Sequence, residues 1–223
     1  MSGTIEEVYS KYKSCTACDL HLSRRSVVFG SGNPSADILL VTSAPTSTED
    51  KQGTHVTRDI AWLTKMYKKV TRGRASLEAT AEKMLQDMFI VSSVMCRPTH
   101  VEGPLAGTEK EPSNSEIKTC RPRLIDTIYA VDPLIIIGLG KEAIRALHGA
   151  KTGVDRTGQD LSYITVVGQS GLELRYSVLT AHGLKLAETA GDYDYDGGKV
   201  ASVRNALTRA LELVKQVREE DSP

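Results

Sequence analysis

Ala36-Asp37-Ile38-Leu39-Leu40-Val41-Thr42, Met88-Phe89-Ile90-Val91-Ser92-Ser93-Val94 and Pro133-Leu134-Ile135-Ile136-Ile137-Gly138-Leu139 are three short, nearly unbroken apolar runs. None alternates apolar with polar, as a strand with one wet face would. Runs of this kind mark strands buried on both faces, the pattern of a parallel sheet covered by helices. Residues 163–167 and 172–180 read as further strands, the second ending in a fourth main strand; residues 27–29 allow one more short strand. Helical periodicity fills the gaps. It spans 4–14, 58–70 (through Ile60, Leu63, Tyr67 and Val70) and 77–86. A capping-box pair, Ser113 and Glu116, opens another helix that continues through Ile117, Leu124 and Ile128. Residues 140–148 form a helix closed by Gly149. Residues 199–218 carry Val200, Val203, Leu207, Leu211, Val214 and Val217 on one face. Strands alternating with helices predict an α/β fold. The expected form is a three-layer αβα sandwich around a central four-stranded, mostly parallel sheet. Residues 1–223 read as a single domain, with an N-terminal arm (1–30) and a C-terminal amphipathic helix (199–218).

The charge balance is neutral: Lys plus Arg and Asp plus Glu each number 28 in 223 residues. Polyanion binders are usually basic overall, so a nucleic-acid surface here must be a local patch. No run approaches the roughly 18 apolar residues that span a bilayer, which argues against a membrane partner. The first residues lack the apolar core of a signal peptide, and a cytoplasmic location is expected. In that compartment cysteines serve more often as metal ligands than as disulfides.

Open α/β sheets bind ligands beyond the C-terminal ends of their strands. Chemistry is therefore expected in residues 42–55, 92–112, 139–141 and 180–185. The four cysteines are Cys15, Cys18, Cys96 and Cys120. Cys15 and Cys18 form a C-x-x-C pair, Cys96 follows a buried strand, and Cys120 lies in the early turns of a helix. Four thiolates suit either an iron–sulfur cluster or tetrahedral zinc. Their wide spacing is unlike a zinc ribbon, and either centre would staple the N-terminal arm to the rest.

Several motifs then line up in order. Cys15-Thr16-Ala17-Cys18-Asp19-Leu20 precedes Val28-Phe29-Gly30-Ser31-Gly32-Asn33-Pro34-Ser35-Ala36-Asp37; Cys96-Arg97-Pro98, Cys120-Arg121-Pro122 and Pro133 to Gly140 follow. Together they resemble the family 4, iron–sulfur branch of the uracil-DNA glycosylase superfamily, over most of residues 9–185. The resemblance implies a uracil-DNA glycosylase-like fold, a [4Fe–4S] cluster on Cys15, Cys18, Cys96 and Cys120, and DNA, single- or double-stranded, as partner. It also implies work alongside replication or repair proteins. The cluster of that family is structural or DNA-positioning and is not the hydrolytic centre.

The resemblance also tells where base-excision chemistry should sit. The family's G-E-x-P-G loop corresponds to Thr42-Ser43-Ala44-Pro45-Thr46; Ser43 stands at the acid's place, and a neutral hydroxyl does not replace a carboxylate base. The stacking aromatic falls at His55 or Val56. The amide that reads uracil's edge corresponds to Ser92, a shorter group without the amide's paired donor and acceptor. The histidine of the final H-P-S/A loop corresponds to His182. Ser43 and His182 are thus the candidate catalytic groups, with Thr42, Pro45, His55, Val56 and Ser92 around the substrate. Asp50 reads as a loop or cap carboxylate. Arg24, Arg25, Arg58, Lys141 and Lys185 are candidate phosphate contacts. These replacements argue against ordinary uracil excision. They leave three readings: a glycosylase for a modified or deaminated base, a non-catalytic DNA-binding or replication accessory protein, and a nucleobase- or nucleotide-modifying enzyme.

Overall fold

The three apolar runs are the strands they promised to be. A computed structural model describes residues 3–55, 58–71, 80–149, 157–167, 171–181 and 198–220. Its elements run α1 (Ile5–Tyr12), a 3-10 turn (Asp19–Leu22), β1 (Ser31–Gly32), β2 (Ile38–Thr42), α2 (Ser47–Gln52), α3 (Arg58–Thr71), α4 (Ala81–Asp87) and β3 (Met88–Ser92). Then come α5 (Asn114–Val131), β4 (Ile135–Leu139), α6 (Gly140–His148), β5 (Thr157–Val167), β6 (Glu173–Ala181) and α7 (Lys199–Glu220). Every residue of β2, β3 and β4 is buried.

The sheet has six strands in the order β1-β3-β2-β4-β6-β5, which corrects the expectation of four. The four expected strands are its parallel centre, β3-β2-β4-β6. Both additions pair antiparallel at an edge: β1 on β3, and β5 on β6. β5 includes the strand expected over 163–167; β1 escaped because two residues that are not buried on both faces leave no apolar run. The short strand expected over 27–29 is instead one bridge, Phe29 to Thr54, with β1 starting two residues later.

Alternate residues of the strands feed two separate cores. Leu39, Val41, Phe89, Val91, Ile136 and Val178 point one way, onto Ile5 of α1, Ile117, Leu124 and Ile128 of α5, and Ala143 and Leu147 of α6. Ile38, Leu40, Met88, Ile90, Ile137 and Leu179 point the other way, onto Leu63 and Met66 of α3, Met84 of α4, and Val203 and Leu207 of α7. Helices thus cover both sheet faces.

Two caps place the site elements. Ser113 caps α5 in a reciprocal box with Glu116, as its sequence pattern requires. Thr46 does the same for α2 with Glu49, a short helix the periodicity did not reveal. Pro122 lies inside α5 and not at its start.

Candidate functional site

Thr42 and Ser92 are the last residues of β2 and β3, and they are paired in register. Two neighbouring parallel strands therefore present two hydroxyls side by side at the ligand-binding edge of the sheet. Thr42 Oγ1 and Ser92 Oγ are 3.0 Å apart. Ser92 Oγ is also 2.9 Å from His55 Nε2, and His55 Nδ1 is 3.0 Å from Glu49 Oε1. Glu49, His55, Ser92 and Thr42 form one continuous hydrogen-bonded chain, and all four are buried.

The α2 cap holds the far end of this chain. Glu49 Oε2 accepts the backbone N–H of Thr46 at 2.8 Å and its hydroxyl at 3.0 Å, which leaves Oε1 to His55. Burial alone would push the Glu49 carboxyl up, but the bonds from His55 and then Thr46 outweigh it. The net direction is downward. Glu49 is thus set up as the anion of the chain, an acceptor toward His55 Nδ1.

Sequence reading brought Thr42, His55 and Ser92 to this edge separately; the structure joins them. Glu49 was missed as a site residue, although Thr46-x-x-Glu49 is a legible capping pattern. Ser43 is half-buried in the loop after β2, its carbonyl accepting the Ser93 hydroxyl. Pro45 is buried beside it. Val56 and His182 lie outside the described residues, as do Lys185 and the side chain of Arg58. Asp50 organises the chain locally, accepting the backbone N–H groups of Arg25 at 2.9 Å and Ser26 at 3.3 Å. Lys141, expected as a phosphate contact, is paired with Glu111 at 2.6 Å and Glu142 at 3.6 Å.

The cysteines gather on the other side of β3, where α1, α5 and the segment after β3 meet. Cys18 opens the 3-10 turn, Cys96 follows β3, and Cys120 faces in from α5. None is in a disulfide; Cys96 and Cys120 are buried and the other two half-buried. Cys18 and Cys120 each lie within range of the Cys96 charge, and Arg123 lies within range of Cys120, Cys96 and Cys15. The backbone N–H of Met95 donates to Cys120 Sγ at 3.3 Å. Burial pushes the Cys120 thiol up to about 11, against the pull of Arg123.

Two arginines complete this region, and neither was read as part of it. Arg24, expected at phosphate, donates from Nη1 to Cys96 Sγ at 3.2 Å. Arg123 is buried, donates from Nη2 to Cys120 Sγ, and has no acceptor for Nη1 among the described residues. A buried guanidinium without a carboxylate partner needs negative charge from elsewhere. Thiolates and inorganic sulfides supply it, so the donor set fits an anionic iron–sulfur cluster. The same four thiols would also suit tetrahedral zinc. Among the described residues no three Cys, His, Asp or Glu side chains converge in a way that could hold a single ion.

Comparison with known proteins agrees with this architecture. The model of the uracil DNA glycosylase superfamily matches residues 29–187. The chain belongs to that superfamily. It is 31% identical over 165 residues to a type-4 uracil-DNA glycosylase of Sulfurisphaera tokodaii, covering 74% of this chain and 64% of that protein. A type-4 uracil-DNA glycosylase of Thermotoga maritima is 31% identical over 141 residues, 63% of this chain and 64% of its own. One of Archaeoglobus fulgidus is 27% identical over 140 residues, 63% and 61% respectively. The matched part of this chain thus spans under two thirds of the length of these relatives. Among the described residues of this superfamily member, no helix is long and apolar enough to cross a membrane.

Proposed function

We propose that this protein is a cytoplasmic iron–sulfur DNA glycosylase that excises a modified or deaminated base other than ordinary uracil. Residues 1–223 act in this reading as one unit, with a [4Fe–4S] cluster on Cys15, Cys18, Cys96 and Cys120. When bound, that cluster cross-links the arm, the segment after β3, and α5. Its work is structural, with Arg24 and Arg123 compensating its charge. The flipped base sits in this reading at the β2 and β3 ends, against Thr42, Pro45, His55 and Ser92, with Val56 assigned to it by motif position alone. Ser43 and His182 occupy the motif positions of the catalytic groups.

The observation that carries this reading is the buried Glu49–His55–Ser92–Thr42 chain. An ionisable pair buried at a ligand-binding edge is expensive to hold, and such groups cluster at functional sites. A scaffold that had given up chemistry would be free to fill the same volume with apolar side chains. One observation favours a second, non-catalytic DNA-binding role, in partnership with replication or repair proteins. Ser43 stands where the acid should be, and both glycines of that loop are absent.

The two readings separate in one assay. Iron-loaded protein is incubated with single- and double-stranded oligonucleotides carrying uracil, hypoxanthine, xanthine, or hydroxylated pyrimidines. Abasic sites are scored, and binding is measured at several salt concentrations. Abasic product from a non-uracil base is the expected result. Salt-sensitive binding without product overturns it in favour of the accessory role. No binding at all points to a small-nucleotide substrate.

A further inference from the structure

We infer that the Glu49–His55–Ser92–Thr42 chain is a polarity filter that selects a base bearing an exocyclic amino group over its carbonyl counterpart. The inference deepens the proposed function by narrowing its base to a modified one that keeps its amino group, and it rests on that reading's placing of the base at the β2 and β3 ends.

The argument is a count of protons. Glu49 is anionic and both its oxygens only accept, so His55 Nδ1 must donate to it. With a single ring proton, held on Nδ1, Nε2 is a bare lone pair, and this tautomer is what the nitrogen-15 spectra below read directly. Ser92 must give its single hydroxyl proton to Nε2, at 2.9 Å. It is left as an acceptor toward Thr42, so Thr42 must give its own proton to Ser92, at 3.0 Å. Every proton in the chain runs inward, toward the carboxylate. Thr42 Oγ1 ends the chain with lone pairs only. Thr42 is also the less buried of the two residues, 7% exposed against 0% for Ser92.

A base lying against Thr42 therefore meets an acceptor with nothing to donate. An amide at the position of Ser92 offers donor and acceptor together and can satisfy a ring carbonyl beside an N–H. The hydroxyl pair cannot. A carbonyl facing Thr42 Oγ1 finds no donor there, whereas an amino group donates to it directly. Sites that leave a buried polar group of the ligand unpaired discriminate strongly against it. The register of β2 and β3 sets the spacing of the two hydroxyls, and the α2 cap fixes the direction of the protons. No single residue type would reveal this.

Matched base pairs test the inference. Oligonucleotides carrying 5-hydroxycytosine and 5-hydroxyuracil differ at C4, amino against carbonyl, and at the adjoining N3, bare against protonated. The 5-hydroxymethyl pair repeats the comparison. Wild-type protein should process the amino member of each pair at least 10-fold faster. Thr42→Val, which keeps the shape and removes the hydroxyl, should bring the two members within about 2-fold. Nitrogen-15 spectra of His55 should show a proton on Nδ1 and none on Nε2 in both proteins, which also reports that the variant is folded. Equal or reversed preference in the wild type, or a protonated Nε2, overturns the inference. If no oligonucleotide yields abasic product, the glycosylase reading fails. The relative affinities for the same pairs, together with the His55 tautomer, then decide the filter by the same criteria.

Discussion

Glu49 sends its two carboxylate oxygens to different tasks, Oε2 to the Thr46 cap and Oε1 to His55. Its carboxyl is held below the ordinary 4.5 by those bonds, in spite of burial. A depressed folded-state value contributes stability that is complete above the unfolded titration range and disappears as pH falls through the folded value. The stability difference between wild type and Glu49→Gln should therefore be largest above the ordinary carboxylate range and shrink as pH falls below it. Urea unfolding at a series of pH values measures it, and a difference independent of pH would contradict the ionic role. These local assignments were only partly legible. Ser92 and the cysteines sit in motifs and could be placed by spacing. Arg123 could not, because an arginine in a helix reads by default as a solvated charge. Its one available signal was position: it lies three residues after Cys120, on the same helix face.

Among the elements, the connection from Phe29 into β1 is the most tightly determined. A Cβ on Gly30 would lie 2.3 Å from Phe89 Cε1 and 2.7 Å from the Ile90 carbonyl oxygen. Gly32 has φ +119°, a region that side chains disfavour, and a Cβ there would meet the Met88 carbonyl oxygen at 2.2 Å. The glycines of the Val28-Phe29-Gly30-Ser31-Gly32 motif thus let an edge strand lie flat on β3, beside the ring of Phe89. Gly30→Ala should destabilise the protein by about 2 kcal/mol, in the range of overpacked cores. It should lower the urea midpoint without changing the slope. A midpoint equal to wild type would mean that β1 can shift at no cost. The helices α5 and α6 and the central strands were readable because their signals are local: caps, a closing glycine and apolar runs. The antiparallel β1 edge was not, since a two-residue strand carries no period.

Over the whole molecule, the N-terminal arm is held by more than its cysteines. Ile5 and Val8 are buried. The Tyr9 ring stacks on Phe29 with centroids 4.2 Å apart, and its hydroxyl donates to the Gly30 carbonyl at 2.8 Å. Tyr12 and Lys11 both reach Asp126 of α5 at 2.7 Å. On the proposed function, replacing Cys15 and Cys18 together by Ser should abolish iron binding and its broad visible absorbance, yet leave α1 docked. The expected cost is about 10 °C in Tm, at roughly 2–4 °C per kcal/mol for a chain of this size. Amide exchange over Ile5–Tyr12 checks the docking, and full loss of protection there would show that the cluster alone holds the arm. The layer order, the parallel centre and the four thiols follow from one-dimensional information, because buried strands, amphipathic helices and soft ligands each leave a pattern along the chain. The junction of Glu49, His55 and Ser92, and the burial of Arg123 among sulfurs, do not. Hydrogen bonds between residues 37 positions apart depend on strand register and helix docking, which exist only once the sheet has assembled.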